Sequence, residues 1–152
     1  AARRARQWAD RSQVALSAFL LDHRGRGRSS ALAPWLATVP RDLPGCPVLW
    51  APEQLRCLEG LDEGALVAEK QERWLREYQT LLYHVPGIRR FSFEAFARAR
   101  AAVESRTHGL STDVPAGEER TAFVPLADLL NHNETPSALW STVRLPDGTA
   151  HF

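Results

Sequence analysis

Between residues 13 and 21 the apolar positions Val14, Leu16, Phe19 and Leu20 recur at helical spacing, and Gly25, Gly27, Ser29 and Ser30 then break the period. The pattern predicts a helix followed by a flexible turn. Ser30 is placed to cap a short helix reaching Leu36, after which Pro40, Pro44 and Pro47 remove the backbone donors that a continuing helix requires. An irregular loop is expected there. Ala51-Pro52-Glu53 opens the next helix, with proline in the first turn and an acid near the positive end of the dipole. Gly60 closes it, with Leu55 and Leu58 turned inward. The clearest helical period spans residues 64–83, where Val67, Trp74, Tyr78, Leu81 and Leu82 form one stripe. The opposite face is charged. Glu69 stands four residues before Arg73 and Glu72 four before Arg76, the favourable order for pairs worth about 0.2–0.5 kcal/mol each.

Pro86-Gly87 ends that helix, and another begins near Ser92, with Phe96, Ala99, Val103 and Arg106 on a single face. Gly109 is the expected terminator, and residues 111–119 are expected to form a surface loop. The character of the chain then changes. Residues 141–145 have the pattern of a strand, Pro146-Asp147-Gly148 that of a turn, and residues 149–152 that of the start of a second strand. The fold class expected is α+β, mainly helical, with part of a small sheet at the end.

Composition adds bounds. At 152 residues, with 44% hydrophobic and 24% charged positions, the chain is long enough to bury the core of one domain. The formal net charge of +1 argues against a dedicated nucleic-acid binder. Two arginine clusters, one of Arg3, Arg4, Arg6 and Arg11 and one of Arg24, Arg26 and Arg28, keep nucleic acid only as a third reading. Cys46 and Cys57 lack the close pairing and clustered histidines of a structural zinc site, so no metal is expected and a reducing intracellular compartment is, whether cytoplasm, nucleus or plastid. The polar, basic start does not resemble a signal peptide, and the apolar run at residues 15–21 is too short to span a bilayer. No membrane association is expected. The chain lacks methionine and is expected to begin inside a longer protein.

One segment carries chemistry. Phe123-Val-Pro-Leu-Ala-Asp-Leu-Leu-Asn-His132 resembles the Pro-Leu-Ala-Asp-x-x-Asn-His signature of SET-domain protein methyltransferases. The likeness is to the subclass of the Rubisco large-subunit lysine methyltransferases and the actin-histidine methyltransferase. That subclass has a helical insertion within SET and a Ser-Arg pair at the end of the preceding helix, and Ser105-Arg106 stands at that place. Upstream, Ser30-Ala-Leu-Ala-Pro-Trp-Leu-Ala-Thr-Val-Pro40 and Pro47-Val-Leu-Trp50, followed by Glu53-Gln-Leu-Arg-Cys-Leu-Glu-Gly60, resemble recurring patterns of the insertion. The resemblance implies a partial SET domain over residues 1–152. Within it, about 14–104 would be the helical insertion and 105–152 the SET core segment.

The implied cofactor is S-adenosyl-L-methionine, and the implied cofactor-binding residues are Arg106, Asp128, Asn131 and His132. A site for this cofactor must present polar groups to a sulfonium, to an amino-acid head bearing both charges and to an adenine edge, inside a dry cleft. The Asn131 amide can accept from the ammonium while donating elsewhere, and the backbone at His132 can meet the adenine edge. Arg106 can meet the carboxylate or brace the loop, and Asp128 can hold Asn131 and His132 in place from within. A metal is not required, because a deprotonated amine or imidazole attacks the methyl in line and alignment supplies much of the acceleration.

The family's catalytic tyrosine lies outside this chain, since Tyr78 and Tyr83 both fall in the insertion helix. So do its N-terminal glycine-containing cofactor strand, its glycine-glutamate and tyrosine-glycine segments and its C-terminal helical domain. The 152 residues alone are therefore expected neither to hold the cofactor tightly nor to transfer methyl groups. A further departure is Thr107-His108, where the family has a small residue and then phenylalanine. The function expected of the whole protein is methyl transfer to a protein substrate, at lysine first and histidine second. The rival is a non-catalytic helical interaction module that keeps a SET-like scaffold without its pocket.

Overall fold

Residues 2–106 hold most of the helix-forming sequence, and there helices alternate with turns and loops. The computed structural model describes residues 2–110, 120–130, 134–135, 143–144, 146 and 150–151. Among the described residues the α-helices are, in chain order, α1 (Ala2–Arg26), α2 (Ala33–Leu36), α3 (Pro52–Leu55), α4 (Asp62–His84) and α5 (Phe93–Arg106). Short strands come next: β1 (Thr107–Leu110), β2 (Arg120–Phe123), β3 (Val143–Arg144) and β4 (Ala150–His151). The chain divides into two compact units, Val14–Ser105 on one hand and Ala1–Gln13 with Arg106–Phe152 on the other.

The Val14–Ser105 unit is helical. Its core is built from Leu20, Leu36, Trp74, Phe96, Ala99 and Val103, all buried. The predicted stripe on α4 therefore points inward at Trp74 and Leu81, while Val67, Tyr78 and Leu82 are half-buried. Tyr78 fastens α4 to the start of α5: its hydroxyl donates to the Phe91 carbonyl at 2.6 Å, and its ring lies 5.8 and 5.6 Å from those of Phe93 and Phe96. Arg100 is fully buried on α5, with Nε donating to Glu77 at 3.0 Å and Nη1 to Glu104 at 3.0 Å. Glu104 also pairs with Lys70 of α4. Arg24 is largely desolvated, and burial and then the charge of Arg41 push its pKa down. Its guanidinium donates to the carbonyls of Val39 and Pro40 at 3.3 and 2.8 Å, tying α1 to the proline loop.

Several local expectations need correction. Helix α1 continues through Gly25 to Arg26, and a Cβ at Gly25 would stand 3.0 Å from the Phe91 ring. Glycine permits that close approach, and the turn waits for Gly27 at φ +56°. Ser30 does not cap α2. Its hydroxyl, 2.9 Å from His23 Nδ1, accepts from the Leu32 N–H at 3.1 Å, whereas the N-cap position belongs to Leu32. Of the two predicted pairs on α4, Glu72–Arg76 is present at 3.5 Å, and Glu69–Arg73 is absent among the described residues.

The helix near Ser92 is capped as its sequence suggests, with the Ser92 hydroxyl accepting from the Ala95 N–H at 3.2 Å. It stops earlier than expected. Gly109 ends no helix and instead lies within β1, because β-branched Thr107 and then His108 favour extended backbone once Arg106 closes the last turn. The loop expected at 111–119 lies outside the described residues.

In the other unit, β1 and β2 pair antiparallel, with Thr107 opposite Phe123 and Gly109 opposite Thr121. The predicted terminal hairpin is present in shorter form, Val143 opposite His151 and Arg144 opposite Ala150. Helical elements followed by small antiparallel sheets make the architecture α+β, as the pattern predicted. No helix among the described residues is long and apolar enough to cross a membrane.

Candidate functional site

The segment after β2 turns tightly because Pro125 fixes its own φ and gives up an N–H. The Asp128 N–H donates back to the Val124 carbonyl at 2.9 Å, closing a loop around residues 125–127. A single 3-10 turn, Ala127–Leu129, follows, with the Leu129 and Leu130 N–H groups bonded to the carbonyls of Leu126 and Ala127 at 3.1 Å each. Leu126 absorbs the curvature. Its φ of 77° and ψ of −48° lie near the rare γ-turn with positive φ, a conformation that costs a non-glycine residue of the order of 1–3 kcal/mol. Among the described residues it is the only non-glycine with positive φ. Its side chain is 79% exposed, so packing of the leucine does not offset that strain.

Opposite this turn stands Arg106, the last residue of α5, which opens the second segment of its unit. Its Nη1 donates to the main-chain carbonyl of Asp128 at 2.8 Å. A cation at a helix C-terminus is favoured by the dipole, and here it also reaches across to the loop. Arg106 is half-buried and forms no ion pair among the described residues, so the remaining N–H donors of its five are not committed to a carboxylate. Asp128 is 4% exposed. Its main chain is held at both ends of the residue, the N–H by the Val124 carbonyl and the carbonyl by Arg106.

Two of the four predicted cofactor-binding residues are thus brought together, Arg106 with Asp128. The other two, Asn131 and His132, lie outside the described residues. His108, at the position where the resembled family has phenylalanine, is half-buried on β1 opposite Ala122. Both tyrosines are on α4: Tyr78 is committed to the Phe91 carbonyl, and Tyr83 is 80% exposed. Cys46 is half-buried, Cys57 exposed, and neither is in a disulfide. Among the described residues no group of three or more His, Cys, Asp or Glu side chains is arranged to hold a metal ion.

Sequence reasoning placed Arg106 toward the loop but missed the acceptor, a carbonyl, because main-chain partners leave no trace in side-chain identity. It also missed the strained Leu126; the proline before it was the available signal, since it narrows the ways the chain can turn. The chain matches no known family model, no curated protein and no solved structure.

Proposed function

We propose that this chain is part of an S-adenosylmethionine-dependent protein methyltransferase of the SET class, with lysine as the acceptor and histidine as the second choice. The single observation that carries the reading is the Arg106–Asp128 contact: it joins the Ser-Arg pair to the Pro-Leu-Ala-Asp turn, the two parts of the motif that lie apart in sequence. The donor set suits the cofactor. Arg106, half-buried and with donors to spare, is the natural partner for the carboxylate of an amino-acid head. The Asn131 amide would take the ammonium, and the backbone at His132 the adenine edge.

When bound, the cofactor supplies an electrophilic methyl group on a positive sulfonium. The chain's own contribution is positional. Arg106 pins the Asp128 carbonyl, the Asp128 N–H is held by the Val124 carbonyl, and the strained Leu126 sets the turn that leads into Asp128.

A second reading, a SET-like scaffold used for interaction without catalysis, draws on His108, a half-buried polar ring in place of an apolar one. One experiment separates the two. The full-length gene product is incubated with methyl-labelled cofactor and a protein extract, beside the Arg106→Ala and Asn131→Ala variants. Methyl transfer that both substitutions weaken supports the enzyme; a folded protein without transfer supports the scaffold.

A further inference from the structure

We infer that Ser29 is a phosphorylation site for an arginine-directed serine/threonine protein kinase, recognised through Arg26. The site belongs to the Val14–Ser105 unit and does not depend on the methyltransferase reading. Ser29 ends the single 3-10 turn Gly27–Ser29 that follows α1, and Arg26 stands three residues before it. Arg26, Gly27, Arg28 and Ser29 are all exposed. A cation at a fixed offset before a serine is the feature that an acid-lined kinase cleft selects. Burial then chooses between two adjacent serines. Ser30 is 5% exposed, and its hydroxyl stands 2.9 Å from His23 Nδ1 and accepts from the Leu32 N–H at 3.1 Å, so it is closed to an enzyme in the folded chain. The Ser29 hydroxyl makes an exposed bond, donating to the Arg26 carbonyl at 2.7 Å. Arg24, five residues before Ser29, is set aside as well, because its guanidinium is held by the carbonyls of Val39 and Pro40.

A kinase takes its acceptor segment in extended form, so the turn has to open. Little resists that. The turn buries none of its residues and is closed by the Ser30 N–H donating to the Gly27 carbonyl at 3.1 Å. Arg26 is paired with Asp22 at 2.6 Å, but the two side chains keep 55% and 40% of their exposure, and such a surface pair contributes little. Gly27, at φ +56°, lets the chain leave the helix, and at Ser30 the backbone is already extended. A segment that opens without exposing core does so at low free energy. In the transfer, Ser29 Oγ bonds to the γ-phosphorus of ATP, the bond from that phosphorus to the β,γ-bridging oxygen breaks to release ADP, and the hydroxyl proton passes to the kinase's carboxylate. The phosphate carries about −1.5 to −2 charges at neutral pH, beside the exposed guanidinium groups of Arg26 and Arg28, which are suited to pair with it.

The test incubates the full-length gene product with ATP and a purified serine/threonine kinase selective for arginine three residues before the acceptor. A synthetic peptide of residues 22–41 serves as the fully open reference. Proteolysis before aspartate releases the same residues from the protein, and tandem mass spectrometry reads both the position and the initial rate of phosphate incorporation. Phosphate is expected on Ser29 and not on Ser30 in the folded protein, at a rate within roughly tenfold of the peptide's. Ser29→Ala should remove it from this segment, and Arg26→Ala should slow it by roughly tenfold or more, with the circular dichroism of both variants unchanged. Incorporation at Ser30, a rate in the folded protein more than about tenfold below the peptide's, or an unchanged rate in Arg26→Ala would overturn the proposal.

Discussion

Replacing Arg100 by alanine tests the packing account of the helical unit most severely. Arg100 is fully buried, donates to Glu77 and Glu104 at 3.0 Å each, and lies 5.6 Å from the centre of the Trp74 ring. Truncation leaves two carboxylates facing a gap. Removing one partner of a buried ion pair costs about 3–5 kcal/mol, and the lower end applies here. The side chains of Glu77 and Glu104 keep 14% and 24% of their exposure, and Glu104 retains Lys70. With a urea slope of about 1–3 kcal/mol per molar, a loss near 3 kcal/mol lowers the midpoint by on the order of 1–3 M, at unchanged slope. The informative comparison is Arg100→Met combined with Glu77→Leu. If the arginine matters as the counter-charge of a buried acid, replacing both by apolar groups should return stability to within about 1 kcal/mol of the parent. Urea titration followed by circular dichroism measures all three proteins. A loss under about 1 kcal/mol for Arg100→Ala, or a double variant no more stable than that single one, would refute the reasoning.

Two further outcomes follow from backbone geometry. Gly64→Ala should lower the melting temperature although alanine is the better helix former, because its Cβ would meet the Leu58 carbonyl at 2.5 Å, an overpacking cost of about 1–3 kcal/mol. A raised melting temperature would show that the turn yields freely. Leu126→Gly should leave its unit as stable or more so, by up to about 1 kcal/mol, since glycine relieves a φ of 77° and little buried side chain is lost. Hydrogen exchange at Asp128 and Leu129 reads this locally, and faster exchange in the variant would count against the strain assigned to Leu126.

Helix positions were legible wherever an apolar period ran uninterrupted, as on α4 and α5, because burial of one stripe dictates both the element and its facing. Phe96, Ala99 and Val103 are buried on that ground alone. Ends were harder to read. The sequence offers Gly25 and Gly109 as breaks, yet Gly25 is helical with the Phe91 ring packed where a side chain would be, and Gly109 is in a strand. Those outcomes depend on residues distant in sequence. The same holds for Arg100, whose four-residue spacing to Glu104 suggests a surface pair, while its burial is set by Trp74 and Glu77 on another helix. At the candidate site, the sequence motif named Arg106 and Asp128, and their contact needed the fold of α5, β1 and β2 to bring them together.

In the proposed reading Arg106 and Asn131 hold the amino-acid head of S-adenosylmethionine. The decisive measurement is calorimetric titration of that cofactor into the full-length gene product, beside its Asn131→Ala variant. Saturable binding by the parent is expected, with a loss of about 1.5–3 kcal/mol in the variant, the worth of a hydrogen bond to a charged group, and with the fold retained. Equal affinity in the two proteins, or no binding by a folded parent, would contradict it.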